Sequence, residues 1–396
     1  MNRLFYLIVL LFIAGCTGTD PELEKPKIED NILDRNYVSL SEALKNAEIE
    51  FSKIYGTTRS DVKTYESVDV FSPEGTRSGE QETYGYYIVN YTNNSGFAIL
   101  SADRRRASVF AISDEGRVFL SDTISNKGLS WYFNNYLGLY GINEESFSNS
   151  SPNPSPDPNP SDPYDIKEFI TDLSKPLLKG FMASFHQSYP YNKYCFTSSG
   201  QQSVVGCVPL AVGTVMGYYE YPKSIEGYNF DWKSMKNNSN HDGWSHLFEI
   251  LGRTGYLNAD YGIFSTGASP SDIAPTFTRL GYSNATFANF SATTVNKSLK
   301  NSQPVLCGGQ SNEGGHRWVI DGGVENRLVR YLNGSEVDTS LIYYYHCIWG
   351  WEGNGNGYYR FDNNLGGTSY NPYEETESIP YIFSNLSIVY GYETGK

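Results

Sequence analysis

The stretch Ser199–Pro222, SGQQSVVGCVPLAVGTVMGYYEYP, decides how this chain is read. It passes from a polar loop into an apolar segment where Leu210, Val215, Met216 and Tyr219 recur at helical spacings. The spacing predicts a helix that begins at Cys207 and ends near Tyr221-Pro222. A thiol at a helix N-terminus feels the positive end of the dipole and nearby free amide donors, and both favour the nucleophilic thiolate. Cys207 is therefore either a catalytic nucleophile or a small buried hydrophobe at the head of a core helix. Gln201, six residues earlier, offers a side-chain amide that could join the Cys207 N–H in an oxyanion hole. A surface-loop glutamine is the alternative.

The bulk composition narrows the classes. A chain of 396 residues can bury two separate cores. Its 33 Tyr and 21 Phe favour β-rich structure with half-buried rings. A net charge of −14 without a basic stripe argues against nucleic-acid binding. None of the five cysteines forms a CxxC pair, so no zinc site or thioredoxin-like motif, and no metal or cofactor, is expected. After export a disulfide could join two of Cys195, Cys307 and Cys347, without the sequence choosing the pair.

Residues 1–16 read as a targeting segment: Arg3 is the positive end, Leu4 to Phe12 the apolar run, and Ile13-Ala14-Gly15-Cys16 the cleavage site. A small pair directly before cysteine resembles a bacterial lipobox, with Cys16 lipidated; an ordinary signal peptide cut near Ala14 or Gly15 is the alternative. The run is too short to span a bilayer. Residues 17–37 are a polar, acidic tether. Residues 38–147 form a small α+β region without histidine or cysteine. There Ser39 starts a helix running to Ile54, followed by strands at Tyr84–Tyr91, Phe97–Ser101, Val109–Ser113 and Arg117–Leu120. The segment 148–163, SNSSPNPSPDPNPSDP, is an extended linker open to proteolysis, or a passive spacer.

Residues 164–396 carry all five histidines. Helices are expected over Ile166–Leu178, after Cys207 and over Asp272–Leu280. Strands follow at Val305–Gly308, Arg317–Asp321, Arg327–Leu332, Ser340–Ile348 and Gly357–Phe361. A helical half before a β-rich half is an α+β plan. A nucleophilic cysteine needs a base, and His316 in GGHRWVIDG, at the mouth of a buried strand, is the best candidate. Its alternative is a structural histidine beside a strand. His241 and His246 lie in what reads as an irregular polar stretch, and His346 reads as strand packing. Trp349-Gly350-Trp351 opens a glycine-rich aromatic turn that walls a site or caps a β-core.

Three separated motifs agree on a family. Gly206-Cys207-Val208 leading to Tyr219-Glu220-Tyr221-Pro222 resembles the nucleophile segment of the streptopain-like cysteine peptidases. Pro304-Val305 through Gly314-Gly315-His316 to Asp321-Gly322 resembles their histidine segment. Trp349-Gly350-Trp351 with Gly357-Tyr358-Tyr359 resembles their tryptophan loop. Pro190-Tyr191-Asn192 and Cys195 match a segment common in Bacteroides-type members, and the region with Ser101-Ala102-Asp103 looks like the family's inhibitory propeptide.

The resemblance implies a papain-like two-lobed fold, helical lobe plus β-rich lobe, behind a small α+β propeptide domain. It implies Cys207 as nucleophile, His316 as general base and Gln201 as oxyanion donor. Trp349 would pack beside the histidine, with Trp351 supporting the site. Gly315 would lend backbone to the substrate cleft, and Ser265 falls near a substrate-contacting serine. Two positions depart from the pattern: Ile348 stands where the family has asparagine, and Pro209 where it has small residues. The expectation is an exported cysteine endopeptidase, made as a zymogen and tethered to a bacterial envelope through Cys16 or released outside after processing. Its partners would be protein substrates, its own propeptide and the membrane. An envelope lipoprotein binding glycan or protein without catalysis, or a transglutaminase-like transferase, are the rivals.

Overall fold

The computed structural model describes residues 37–55, 63–71, 85–102, 108–119, 126–133, 165–178, 180–237, 240–311, 314–362 and 386–394. Cys16 with the targeting segment, nearly all of the tether, residues 134–147 and the linker 148–163 lie outside them.

Helix α1 (Leu40–Tyr55) turns Ala43, Ala47, Phe51 and Ile54 inward, a stripe at helical spacing. It lies on an antiparallel run of β1 (Tyr65–Phe71), β2 (Tyr86–Tyr91), β3 (Phe97–Ser101) and β4 (Val109–Ser113). The short helix α2 (Lys127–Tyr132) follows. Residues Arg117–Phe119, expected as a strand, are not one. The Val118 N–H donates to Asn90 Oδ1 and its carbonyl accepts from Asn90 Nδ2, both at 2.8 Å, so a side chain replaces the ladder.

Strand β5 (Asp165–Ser174) replaces the helix expected over Ile166–Leu178. It pairs antiparallel with residues 323–331. Phe169 and Ile170 stay 40% and 37% exposed, so the ladder fixes this segment and no buried helical stripe exists to compete with it. Helix α3 (Cys207–Tyr219) is buried continuously from Val208 to Gly217. Pro209 stands in its first turn, where the missing N–H would have no helical partner. Gly206 before it has φ +92°, and a Cβ there would come 3.0 Å from Thr266.

A small hairpin, β6 (Ser224–Ile225) and β7 (Tyr228–Asn229), leads to α4 (Trp232–Lys236) and α5 (His241–Gly252). The stretch around His241 and His246, read as irregular, is therefore helical. Asn240 Oδ1 caps it by accepting the Gly243 N–H at 2.8 Å, and Trp244, Leu247, Phe248 and Leu251 supply the buried stripe. Helix α6 (Ile273–Arg279), β8 (Tyr282–Ser283), β9 (Thr286–Asn289) and α7 (Ala292–Lys300) complete the helical half.

The β half is β10 (Val305–Ser311), β11 (Gly314–Leu332), β12 (Ser335–Ile348), β13 (Gly357–Asp362), β14 (Ser387–Tyr390) and β15 (Glu393–Thr394). The two strands expected at Arg317–Asp321 and Arg327–Leu332 are one continuous strand, β11. The main sheet has eleven strands in the order β1-β2-β3-β4-β13-β12-β11-β10-β14-β9, with β5 also on β11. Tyr358 pairs with Ile112 and Tyr359 with Ala111, so the N-terminal strands extend the C-terminal sheet directly.

That sheet separates two cores. Leu306, Val319, Ile348 and Val389 face α3 and α5, joining Val212, Val215, Met216 and Trp244. On the other face Trp318, Ile320, Tyr345 and Trp349 meet Leu129, Trp131 and Tyr132 of α2 and Val295 and Leu299 of α7. A third core closes α1 over its own strands and over Val324, Tyr344 and Tyr358. The helical and β-rich lobes follow the expected α+β plan.

Candidate active site

Cys207 is the first residue of α3 and its thiol is free. Burial pushes that thiol's pKa up. Against burial work the backbone N–H and guanidinium of Arg317, and the N–H groups of Cys207 and Val208 at the open helix end. The segment before it is held firmly. Asn192 Nδ2 donates to the Ser203 carbonyl at 2.6 Å, and Gln202 Nε2 donates to the Cys195 carbonyl at 2.8 Å. Val204 N–H donates to the Gly262 carbonyl at 3.1 Å, and Thr266 Oγ1 donates to the Val204 carbonyl at 2.6 Å. Ser265 is therefore on an exposed loop whose base is tied to the segment before Cys207.

His316 is 5% exposed and lies on β11. Its ring runs parallel to Trp318 at 13°. Nε2 is 2.9 Å from the Trp349 carbonyl oxygen, which can only accept, so Nε2 carries the proton and Nδ1 is the free acceptor. Burial, aided by the Arg317 charge, lowers its pKa to about 4, with the Trp349 bond opposing. Successive strand side chains point to opposite faces. His316 shares its face with Trp318 and Ile320, whereas Arg317 shares the face of Val319, which packs toward α3. His316 thus faces away from Cys207, and no hydrogen bond joins these two described side chains.

What holds His316 there is α2. A Cβ on Gly128 would fall 2.2 Å from Trp349 Cε3 and 2.8 Å from His316 Cδ2, so the helix backbone rests directly on both rings. Trp131 packs against Trp318 with ring centroids 5.3 Å apart and planes tilted at 37°. Asn126 Oδ1 caps α2 by accepting the Gly128 and Leu129 N–H groups at 3.1 and 3.2 Å.

Trp349 is fully buried. Its N–H donates to Asn356 Oδ1 and its Nε1–H to the Gly355 carbonyl, both at 3.0 Å. Trp351 is half-buried two residues on, in the turn where Asn354 N–H bonds its carbonyl at 2.9 Å. Gly315 is exposed at the start of β11 opposite Gln310. Gln201 is exposed: its N–H donates to Thr197 Oγ1 at 3.1 Å and its Oε1 accepts from Ser199 at 3.4 Å. Cys195, Cys307 and Cys347 are all free thiols, so the disulfide considered above is not formed.

A family model described as "Peptidase C10 family" matches residues 185–359, the span that holds Cys207, His316 and the tryptophan turn. The matched span resembles that family, and the chain is a cysteine-type peptidase. A second model, "Spi protease inhibitor", matches residues 35–137, so Gly128 and Trp131 lie in an inhibitor-like region. Streptopain of Streptococcus pyogenes is 22% identical over 83% of the chain and 86% of its own length. The thiol protease/hemagglutinin PrtT of Porphyromonas gingivalis is 23% identical over 90% of the chain and 41% of that protein. In fold, the chain is similar to a prointerpain A fragment of Prevotella intermedia, with TM-score 0.53 and 20% identity, covering 83% of this chain and 100% of that one.

Within this peptidase, sequence reasoning missed four residues that shape the site. Asn356 fastens the tryptophan turn to the helical lobe, its Nδ2 donating to the Ala183 carbonyl at 2.7 Å. Only its place between two glycines marked it. Asp321 and His346 form a buried pair, Oδ1 to Nδ1 at 2.6 Å, while Asp321 Oδ2 accepts the Leu178 N–H at 2.8 Å. The sequence alone reads His346 as strand packing. Arg317 was passed over as a neighbour of His316. Ile348, the family's asparagine position, is opposite Val319 and packs in the core beneath α3.

Proposed function

We propose that this peptidase is an exported endopeptidase made as a zymogen, with Cys207 as nucleophile and His316 as general base. The observation that carries the reading is the head of α3, where a free thiol meets the helix N-terminal amides and the Arg317 amide of the histidine segment. In the uncleaved chain His316 is pressed against Trp349 by α2 of the inhibitor-like region. Latency follows, because a base on the wrong face of the sheet cannot receive the thiol proton. Cutting in the linker 148–163 and release of α2 would let the Gly314-Gly315-His316 segment swing round, bringing Nδ1 to the thiol.

In the released enzyme His316 takes the Cys207 proton, and the sulfur bonds to the scissile carbonyl carbon. The oxyanion is met by the Cys207 N–H and by Gln201, whose exposed loop closes over bound substrate. The C–N bond breaks as the imidazolium gives its proton to the leaving amine. Water, deprotonated by His316, then hydrolyses the thioester. Trp349 and Trp351 shield the pair, Gly315 contributes backbone to the cleft, and Ser265 meets substrate from the loop tied to Val204. Cys16 anchors the chain to the bacterial envelope by lipidation, at the outer membrane or with release outside after processing.

The test is Cys207→Ala in the full chain. It abolishes both self-processing and casein cleavage; a Cys207→Ala protein that still matures alone and digests casein would overturn the mechanism.

A further inference from the structure

Arg317 is 3% exposed, and among the described residues no carboxylate forms an ion pair with it. Nη1–H donates to the Ser387 carbonyl and Nη2–H to Ser387 Oγ, both at 3.0 Å. Its Nε–H is buried without any partner. Across the ladder stands Gly308, where a Cβ would lie 2.5 Å from the guanidinium carbon, so the group spreads over bare backbone. Burying a cation this way costs several kcal/mol unless something nearby carries the opposite charge.

The ionisable groups around the guanidinium are Cys207 of α3, Cys307 of β10 and Tyr392 before β15. Tyr392 is fully buried with its pKa far above the usual phenol value. Cys307 is enclosed among the aromatic rings on the other face, its thiol pushed up to about 12. Burial pushes the Cys207 thiol up as well, but Cys207 lies on the guanidinium's own face of the sheet and it alone has the Arg317 amide and the amides of a helix N-terminus at its sulfur to oppose that. His316, across the sheet, is neutral and bonded to Trp349.

We propose that Arg317 is the resident counter-charge of the Cys207 sulfur, its guanidinium and its own amide favouring the thiolate while His316 is held on the far face. The proposal rests on Cys207 being the nucleophile, and adds that the uncleaved chain already stores part of that sulfur's reactivity without its base. On ionisation the thiol proton goes to solvent. Arg317 touches no substrate; it acts through the sulfur as a positioning residue.

The experiment uses the full-length His316→Ala chain, which stays uncleaved. Iodoacetamide is applied from about pH 5 to about pH 10, and alkylation of the Cys207 peptide, forming S–C with loss of iodide, is followed by mass spectrometry. Adding Arg317→Gln moves the midpoint up by about one unit or more and slows alkylation near neutrality about tenfold. Adding Arg317→Lys keeps the parent profile, which a merely structural role would not predict. Coincident Gln and parent profiles overturn the proposal. If Cys307 and Cys347 of the Gln chain label as well, its core has opened and the Lys chain decides. A Lys profile at the parent position then supports the counter-charge, and a shifted one with a closed core overturns it. None of these readouts needs turnover, so failure here is separate from failure of Cys207→Ala to abolish proteolysis.

Discussion

The imidazole of His316 donates through Nε2 to the carbonyl oxygen of Trp349 at 2.9 Å, on the face of the sheet that looks away from Cys207. The uncleaved chain keeps its expected base well formed and in the wrong place. Burial among indole rings, a backbone acceptor and a helix laid across the ring all favour that position.

Gly128 is the contact that lets α2 lie there. A side chain would strike Trp349 and His316 at less than 3 Å. Gly128→Val should loosen the inhibitor-like region without touching the α3 core. The expected result is self-processing several-fold faster than the parent's, read by gel and by hydrolysis of a fluorogenic peptide. Unchanged or slower processing would count against α2 as the restraint.

The buried imidazole also predicts how the zymogen responds to acid. Its pKa is about 4 in the fold, against about 6.5 for a free histidine. The folded chain therefore binds its proton less readily than the unfolded chain. Stability is fully present above about pH 6.5 and falls as the pH drops toward about 4, by about 3 kcal/mol at most from this group. Urea unfolding of the full-length Cys207→Ala protein at several pH values checks this. Adding His316→Gln should remove that part of the slope.

Asp321 has no exposed surface and serves both His346 and the Leu178 N–H. Asp321→Ala leaves a buried imidazole and a buried amide without their acceptor, and should cost about 3–5 kcal/mol in chemical denaturation. A loss under about 1 kcal/mol would mean that the pair is not a structural anchor.

Asn356 bridges the Trp349 N–H and the Ala183 carbonyl. Asn356→Ala strands one donor and one acceptor and should destabilise by about 2–3 kcal/mol. Trp349 fluorescence is expected to shift to the red on exposure of the turn. Asn356→Asp, which keeps the acceptor for Trp349 and loses the donor to Ala183, should fall between the two.

The strongest local signals were legible in the sequence alone. The apolar helix headed by Cys207 was, because continuous hydrophobicity from Val208 onward leaves no other stable placement. So were α1, β3, β4 and α6, whose periodicities are carried by their own residues. The family's motif order, too, is a property of the chain. Segments whose partners are remote were not legible. The residues of β5 are strand because β11 offers a ladder, and β11 is one strand because β5 and β12 brace both sides of its middle. Helix α5 was hidden behind His241, Asp242 and Gly243, whose polarity masks the stripe that starts at Trp244.

The site divides the same way. Sequence named Cys207 and His316 from residue chemistry and spacing, and it could not say which face of β11 the imidazole takes. One residue along a strand reverses that face, and the choice here was made by α2, far away in the chain, fitting Gly128 against the rings. Sequence singled out Cys207 and His316 as candidates; only the tertiary structure put Arg317 on the Cys207 side of the sheet and His316 on the other, because strand alternation and the packing of a remote helix act after the chain has folded.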